Sequence, residues 1–319
     1  MDPAGYLDDL ERIPGTLAAL ADALDGGYLP LEAPPHDRVL LLGMGSSAYA
    51  AGVVAARLRH AGVDAVAELA SSDLLPPPDP RTLVVAVSAS GRSAETLAST
   101  AAYAGVAPVV VVTEDPGSPL ADLATRVLPL LAGPEEGGVA CRSYRHTLAV
   151  LLALADRLAP GVAPTLATGC RAAAAATAHL LDTRDGWLPE VTERLAGPDG
   201  SWVVAPARRL ASAQQSALML REGPRRPSHA CETGDWSHVD VYLTKTLDYR
   251  MLLLPGSAYQ PELLRWAAER GSTVVAVGAD VEGAAAAVRY PGDDVDDVRL
   301  LAETTVAELA AARWWAAAS

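Results

Sequence analysis

Three serines around one glycine, Ser88, Ser90 and Ser93 about Gly91, stand between an apolar run and the start of a helical pattern. The run, Leu83 to Val87, is mostly β-branched and reads as a buried strand. Glu95 and Thr96 then open the helix. The first N–H groups of a helix have no partner within it and point outward, so an anion is held there at little cost. Serine hydroxyls add donors without adding bulk. The loop is therefore a candidate phosphate cradle. The same letters suit an ordinary strand-to-helix turn, where Ser and Gly recur on steric grounds alone. A second Gly/Ser loop, Gly43-Met44-Gly45-Ser46-Ser47, follows the strand candidate Arg38 to Leu42. Lys245 is the only lysine, so imine chemistry on a side-chain amine would have to use it.

Composition narrows what these loops can serve. With 319 residues the chain can build two domains, each with its own core. Hydrophobic residues come in short runs, and no apolar stretch of about 18 residues suggests a membrane span. The N-terminal residues carry no basic region or signal-like apolar core, so the cytoplasm is the expected location. Cys141, Cys170 and Cys231 are far apart with no CxxC pair, which suggests neither a disulfide framework nor a zinc site. No metal or cofactor is expected. A formal net charge of −14 disfavours nucleic acid and anionic membranes as partners. An anionic ligand must then be held by a local device, and the serine loop is one.

The elements that would position the loops alternate along the chain. Residues 1–34 carry a helical stripe of Leu7, Leu10, Ile13, Leu17, Leu20 and Leu24, which Pro14 is expected to kink or break. Residues 35–160 read as one α/β domain. Its strands are Arg38 to Leu42, Val63 to Leu69, Leu83 to Val87, Pro108 to Val112 and Val127 to Leu130, with helices from Ala48 to Ala61, to about Tyr103, and from Tyr144 to Leu158. Residues 161–197 form a helical connector. Residues 198–319 repeat the alternation, with strands at Trp202 to Ala205, Arg250 to Leu254 and Thr273 to Val277, a short element at Ala284 to Tyr290, and helices at Ala211 to Arg221, Pro261 to Glu269 and 298–315. Such alternation predicts doubly wound parallel sheets covered on both faces, in tandem. Ligands of these sheets sit beyond the carboxyl ends of the strands, which puts both Gly/Ser loops on one edge and favours the phosphate reading. The GxGxS stretch is a poor dinucleotide fingerprint, because its third glycine and acidic ribose ligand are not well placed.

Gly43 to Ala51 and Ser88 to Thr96 resemble the signatures of sugar isomerase (SIS) domains. The tandem is similar to the isomerase half of glucosamine-fructose-6-phosphate aminotransferases and to fructosamine-6-phosphate deglycases, which implies two flavodoxin-like SIS subdomains. Ala217-Leu218-Met219-Leu220-Arg221-Glu222 matches the Ala-Leu-x-Leu-[Lys/Arg]-Glu helix end of that family, and His238 follows Glu222 by 16 residues. Glu135 to Cys141 resembles its sugar-hydroxyl loop, with Cys141 where Ser is usual. The resemblance implies phosphate binding by Ser47, Ser88, Ser90 and Ser93, and sugar contacts from Gly45, Ser46, Val139 and Cys141. It also implies proton transfer between C1 and C2 by Glu222, ring opening by His238, and a homodimer whose sites borrow residues across the interface, the His in particular. Departures are Ala89 where Gln is frequent, His238-Val239-Asp240 in place of His-Gly-Pro, and no lysine-bearing tail after Trp315. No glutaminase-type domain precedes the tandem, so glutamine-dependent amidotransfer is not expected.

The residue types suit that chemistry on their own terms. Aldose–ketose interconversion needs a base that takes a proton from the carbon beside a carbonyl and returns it to the neighbour. A carboxylate reaches both carbons when partial burial raises its pKa, and imidazole suits ring opening near neutral pH. An anion at a helix C-terminus is unfavourable, so a structural role gives Glu222 no positive reason. The expected function is an isomerase, deaminase or deglycase on a hexose or amino-sugar 6-phosphate, through an enediol or enolamine. The alternative is a non-catalytic sugar-phosphate sensor. The sensors of this family carry a DNA-reading domain, for which this chain shows no basic helix.

Overall fold

The computed structural model describes residues 1–29 and 34–318; residues 30–33 of the expected N-terminal helical segment, and Ser319, lie outside it. In chain order the elements are α1 (Pro3–Asp25), β1 (Arg38–Gly43), α2 (Ser46–His60), β2 (Ala65–Leu69), β3 (Thr82–Val87), α3 (Ala94–Tyr103), β4 (Val109–Thr113), β5 (Arg126–Pro129) and α4 (Arg142–Leu158). Then come α5 (Leu166–Asp182), α6 (Arg184–Leu195), β6 (Ser201–Ala205), α7 (Leu210–Glu222), β7 (Ser228–Glu232), the single-turn α8 (Thr233–Trp236), β8 (Arg250–Leu253), α9 (Gln260–Glu269), β9 (Thr273–Val277), β10 (Ala286–Val288), α10 (Asp296–Ala302) and α11 (Thr304–Ala318).

The strands form two five-stranded sheets, every pairing parallel. The first runs β2-β1-β3-β4-β5. The second runs β7-β6-β8-β9-β10, so each places its second strand outermost beside its first. This shared order is that of flavodoxin-like sheets and makes the tandem α/β architecture a structural repeat. Helical crossovers cover a parallel sheet on both faces, which is why the central strands read as unbroken apolar runs. All six residues of β3 are buried, and Leu40, Leu42, Val84, Ala86, Val109 and Val111 share one core. In the second sheet Trp202, Val204, Met251, Leu253 and Val274 do the same.

By contact density the chain forms two compact units. The first holds Thr16–Pro134 and Arg142–Cys170 with the β1–β5 sheet; the second holds Met1–Gly15, Glu135–Cys141 and the chain from Arg171 on, with the β6–β10 sheet. Among the described residues, no helix is long and apolar enough to cross a membrane. The three cysteines are buried.

Three elements depart from the sequence expectation. Pro14 does not break α1, which continues through it to Asp25. An internal proline costs about 3 kcal/mol, and the fully buried stripe of Tyr6, Leu10, Ile13, Leu17 and Leu20 offsets it. β7, Ser-His-Ala-Cys-Glu, has no apolar run because it is an edge strand with β6 as its one neighbour, and His229 on it faces solvent. The closing helix is two helices, interrupted at Glu303, a carboxylate recruited into the interior.

In the first unit, α4 buries His146 completely, with its Nδ1 2.8 Å from the Leu130 carbonyl. Burial, aided by the Arg142 and Arg145 charges, pushes the imidazole down to about 4 from 6.5, against the Leu130 hydrogen bond. The unfolded chain therefore takes up this proton first. The neutral imidazole's contribution is complete above pH 6.5 and is lost as pH falls toward about 4. The unfolding free energy from urea titrations is expected to drop across that window, by up to about 3 kcal/mol from this group, and His146→Leu should flatten the slope. An unchanged slope in the variant would contradict the assignment.

Candidate functional site

The carboxyl edge of the first sheet gathers both Gly/Ser loops. β1 and β3 are neighbours whose crossovers lead to opposite sides, so the crevice between the loops that follow them is the topological switch point of the sheet. After β1, Gly45 takes φ +51° and Ser46 and Ser47 form the first turn of α2, which has no side-chain cap and in which the Ser47 N–H donates to the Met44 carbonyl at 3.1 Å. After β3, Ser88 is buried at the strand end and Ser90 is exposed, its Oγ accepting from the Arg92 N–H. Ser93 caps α3: its Oγ accepts from the Thr96 N–H (3.4 Å) and donates to a Glu95 carboxylate oxygen (3.0 Å). Bonds to its own backbone N–H and to Ser93 hold the Glu95 carboxyl below the usual range, so the N-terminus of α3 already holds a negative group. Gly45, Ser46, Ser47, Ser88, Ser90 and Ser93 thus lie in the two loops that flank one crevice.

The loop after β4 backs the serine loop. The Glu114 N–H and the Thr113 hydroxyl both donate to the Ala89 carbonyl (2.9 and 3.1 Å), and the Leu120 N–H donates to the Gly91 carbonyl. Within the loop the Gly91 N–H donates to the Ser88 carbonyl and the Arg92 N–H to Ser90 Oγ, so the loop is held by its own bonds as well as by the β4 side. Arg92 pairs with Asp115 at 3.1 Å across the same two loops. Gly91 makes this fit possible. It sits at φ +62°, and a Cβ there would overlap both Cβ and Oγ of Ser118. Rotation of the serine cannot relieve that overlap, so Gly91→Ala must displace the loop. The expected result is a loss of about 1–3 kcal/mol of stability together with phosphate affinity, read by chemical denaturation and by calorimetric titration with a sugar phosphate.

The second unit carries the other candidates. Glu222 ends α7, and Gly223 caps the helix where a Cβ would meet the Trp315 ring at 2.8 Å, so α11 closes over the helix end. Glu222 keeps solvent contact, yet the surrounding protein desolvates its carboxyl and raises it above the usual range. Arg221 opposes that shift and Glu135 adds to it. The raised direction is the one a proton shuttle requires. His238 is exposed and is positioned by its neighbours. Glu232 caps α8 by accepting the Gly234 and Asp235 N–H groups, at 2.7 and 2.9 Å. Trp236, fully buried, anchors the segment by donating from Nε1 to the Tyr249 hydroxyl at 2.8 Å, and the His238 N–H donates to the Asp235 carbonyl.

The Glu135–Cys141 segment is fixed from three directions. Asp9 on α1 accepts the Gly137 N–H (2.8 Å), and Gln215 on α7 donates from Nε2 to the Ala140 carbonyl (2.7 Å). Within the loop Glu135 accepts the Cys141 N–H at 2.6 Å. A Cβ on Gly137 would run into the Tyr6 backbone, so only glycine lets the loop lie this close to α1. The Val139 and Cys141 side chains are buried, so these positions can offer a sugar main-chain groups but no side-chain donor. Asp9 and Gln215 escape a reading of the sequence because each is a lone letter in a helix. The available signal is a buried polar residue on an apolar face, Asp9 beside Leu10 and Gln215 two turns before Glu222.

The corresponding edge of the second sheet is closed by its own charges. After β6, fully buried Arg209 donates from Nε to Glu303 at 3.0 Å, pairs with Asp296, and donates to the Pro255 carbonyl beyond β8 at 2.6 Å. Arg208 also pairs with Asp296. Ion pairs stand where the first sheet has serine hydroxyls.

Comparison with known proteins agrees with this architecture. The family model of the SIS domain matches residues 34–157. No curated protein sequence matches the chain. Among solved structures, tagatose-6-phosphate ketose/aldose isomerase from Escherichia coli is similar over 100% of this chain and 95% of its own (TM-score 0.81, 15% identity). Glucosamine-6-phosphate deaminase from Thermotoga maritima is similar over 99% and 95% (0.78, 18%). The C-terminal domain of glucosamine-fructose-6-phosphate aminotransferase from Francisella tularensis is similar over 98% and 96% (0.78, 15%). Residues 34–157 thus match the SIS domain model, and the whole chain shares the tandem α/β fold of these solved structures.

Proposed function

We propose that the chain is an enzyme of aldose–ketose type acting on a hexose or amino-sugar 6-phosphate. The observation that carries this reading is the serine loop: hydroxyls of Ser88, Ser90 and Ser93 beside the switch point of a parallel sheet, in a chain of net charge −14. Such a chain holds an anion only where a local device exists. In this reading the phosphate lies on Ser88, Ser90 and Ser93 with Ser47, and the sugar meets Gly45, Ser46 and the main chain of Val139 and Cys141. Glu222 takes the proton from one of C1 and C2 and returns it to the other, through an enediol or, with an amino sugar, an enolamine. His238 donates to and accepts from the ring oxygens as the sugar opens. The solved relatives named for ketose/aldose isomerisation, deamination and amination of sugar phosphates support the substrate class, since all three reactions move this same proton. Isomerase, deaminase and deglycase are the members of the class that need the shuttle and no glutaminase.

A homodimer with shared sites belongs to the same proposal. Val239 and Tyr242, more than half exposed beside His238, are apolar surface that a second copy would cover. The direct test of the substrate class is calorimetric titration with 6-phosphorylated and unphosphorylated versions of the same hexoses. Binding of the phosphorylated set alone, lost in Ser88→Ala/Ser90→Ala, is expected; equal affinity for both sets would overturn the reading.

A further inference from the structure

Glu114, in the loop after β4, holds two segments of the first unit at once. Its main-chain N–H donates to the Ala89 carbonyl of the serine loop at 2.9 Å. Its carboxylate accepts two successive main-chain donors from the strap that follows β5, the Ala132 N–H on Oε2 at 2.9 Å and the Gly133 N–H on Oε1 at 3.0 Å. Adjacent N–H groups reach one carboxylate only if the chain turns sharply before them. Leu131 makes that turn at φ +59°, a left-handed conformation that leucine rarely adopts, and Gly133 continues it at φ +73°. Successive N–H groups in such a turn form a concavity for an anion, and here the anion is a side chain of the protein itself. Backbone strain of this kind persists only where the surroundings fix it.

The strap is held from its carbonyl side as well. Arg142, the first residue of α4, donates from Nη1 to the Ala132 carbonyl and from Nη2 to the Pro134 carbonyl. Ala132 is thus held through its N–H by Glu114 and through its carbonyl by Arg142. Residues 130–134 and Arg142 flank the Glu135–Cys141 segment in the chain, so these bonds close the base of that loop. The Leu130 N–H adds a bond to the Thr113 carbonyl, next to Glu114, at 2.9 Å.

We propose that Glu114 is a positioning residue that brackets the two ligand loops: its main chain fixes the serine loop, and its carboxylate fixes the base of the Glu135–Cys141 loop. The inference rests on the phosphate and sugar roles proposed above for those loops, but the bracket is a property of the protein alone. Its two grips belong to different parts of one residue and can be cut separately. Glu114→Ala frees the strap and leaves the N–H bond to Ala89 in place. Glu114→Gln offers one acceptor to two N–H groups, so its effects should fall in between. Thr113→Val removes the other donor to the Ala89 carbonyl, a hydroxyl at 3.1 Å, and leaves the carboxylate on the strap.

The test combines amide hydrogen exchange of the full chain, read by NMR, with calorimetric titration by inorganic phosphate and by hexose 6-phosphates. In Glu114→Ala, exchange at Ala132 and Gly133 should quicken by about 10–100-fold. Hexose 6-phosphate affinity should fall by about tenfold while inorganic phosphate stays within about twofold, and KM should rise more than kcat falls. In Thr113→Val, both ligands should weaken in proportion while exchange on the strap holds. Should Glu114→Ala fail to fold, Glu114→Gln carries the same readouts at smaller size. Unchanged exchange at Ala132 and Gly133 in the folded variant overturns the bracket. Faster exchange with unaltered hexose 6-phosphate affinity overturns its role in binding. A parent chain that binds neither probe refutes the substrate reading, and the positioning role with it, whereas the exchange data still report the bracket, so the two failures are separate.

Discussion

Glu222→Gln is expected to lower turnover by about 10²–10⁴-fold while leaving affinity for a phosphorylated sugar within about twofold. The substitution removes the proton acceptor and keeps the shape of the helix end, where Gly223 and Trp315 pack. The proposed phosphate loop lies in the first unit and Glu222 in the second, so the two functions should separate cleanly in one variant. A structural Glu222 makes a different forecast. The carboxylate sits at a helix C-terminus, where the macrodipole disfavours it, and neutralising it would then stabilise the protein slightly and leave turnover alone. Initial rates and titration calorimetry on the same preparation distinguish these. Equal loss of binding and turnover would show instead that Glu222 holds the ligand.

A second large effect is expected far from the proposed chemistry. Glu303→Gln should destabilise the second unit by about 3–5 kcal/mol, because it strips the fully buried Arg209 of its buried counter-charge and leaves only Asp296 and the Pro255 carbonyl to serve it. Replacing both partners with apolar residues of similar volume, Arg209→Met with Glu303→Leu, should recover most of the loss, since no lone charge then remains inside. Urea unfolding of the single and double variants measures this. A single variant as stable as the parent would mean that the pair carries little of the packing between the β6 and β8 loops and the start of α11. The network also gives the physical reason for the asymmetry between the two repeats. Guanidinium and carboxylate side chains satisfy each other at the second sheet's edge, so the Arg209 charge is not left over for a phosphate.

What the sequence discloses follows from how local each feature is. β3 and β4 are legible because a central parallel strand is buried on both faces and becomes an uninterrupted apolar run. The serine loop is legible because strand, loop and helix cap are contiguous. β7 is not, since an edge strand can be held by its ladder to β6 while its letters stay polar. The run of α1 through Pro14 depends on packing of the whole stripe, which local propensity does not contain. The site divides the same way. Glu222 and His238 stand out through motif and spacing, whereas the loop that accompanies Glu222 is held by Asp9 across 128 residues and by Gln215 across 75. The interruption at Glu303 has the same origin: a carboxylate in an apolar helical pattern becomes intelligible only when Arg209, 94 residues away, is found beside it.

The measurement that bears most directly on the central claim is proton NMR in deuterated water with purified protein. The substrates are fructose, glucose, mannose and glucosamine 6-phosphates and 6-phosphofructosyl amino acids. A proton shuttle at Glu222 predicts solvent deuterium entering C1 or C2 of at least one of them, absent in Glu222→Gln, with the released co-product separating isomerase, deaminase and deglycase. Binding without exchange at either carbon on any of them would contradict an enzyme of this class and favour a sugar-phosphate sensor.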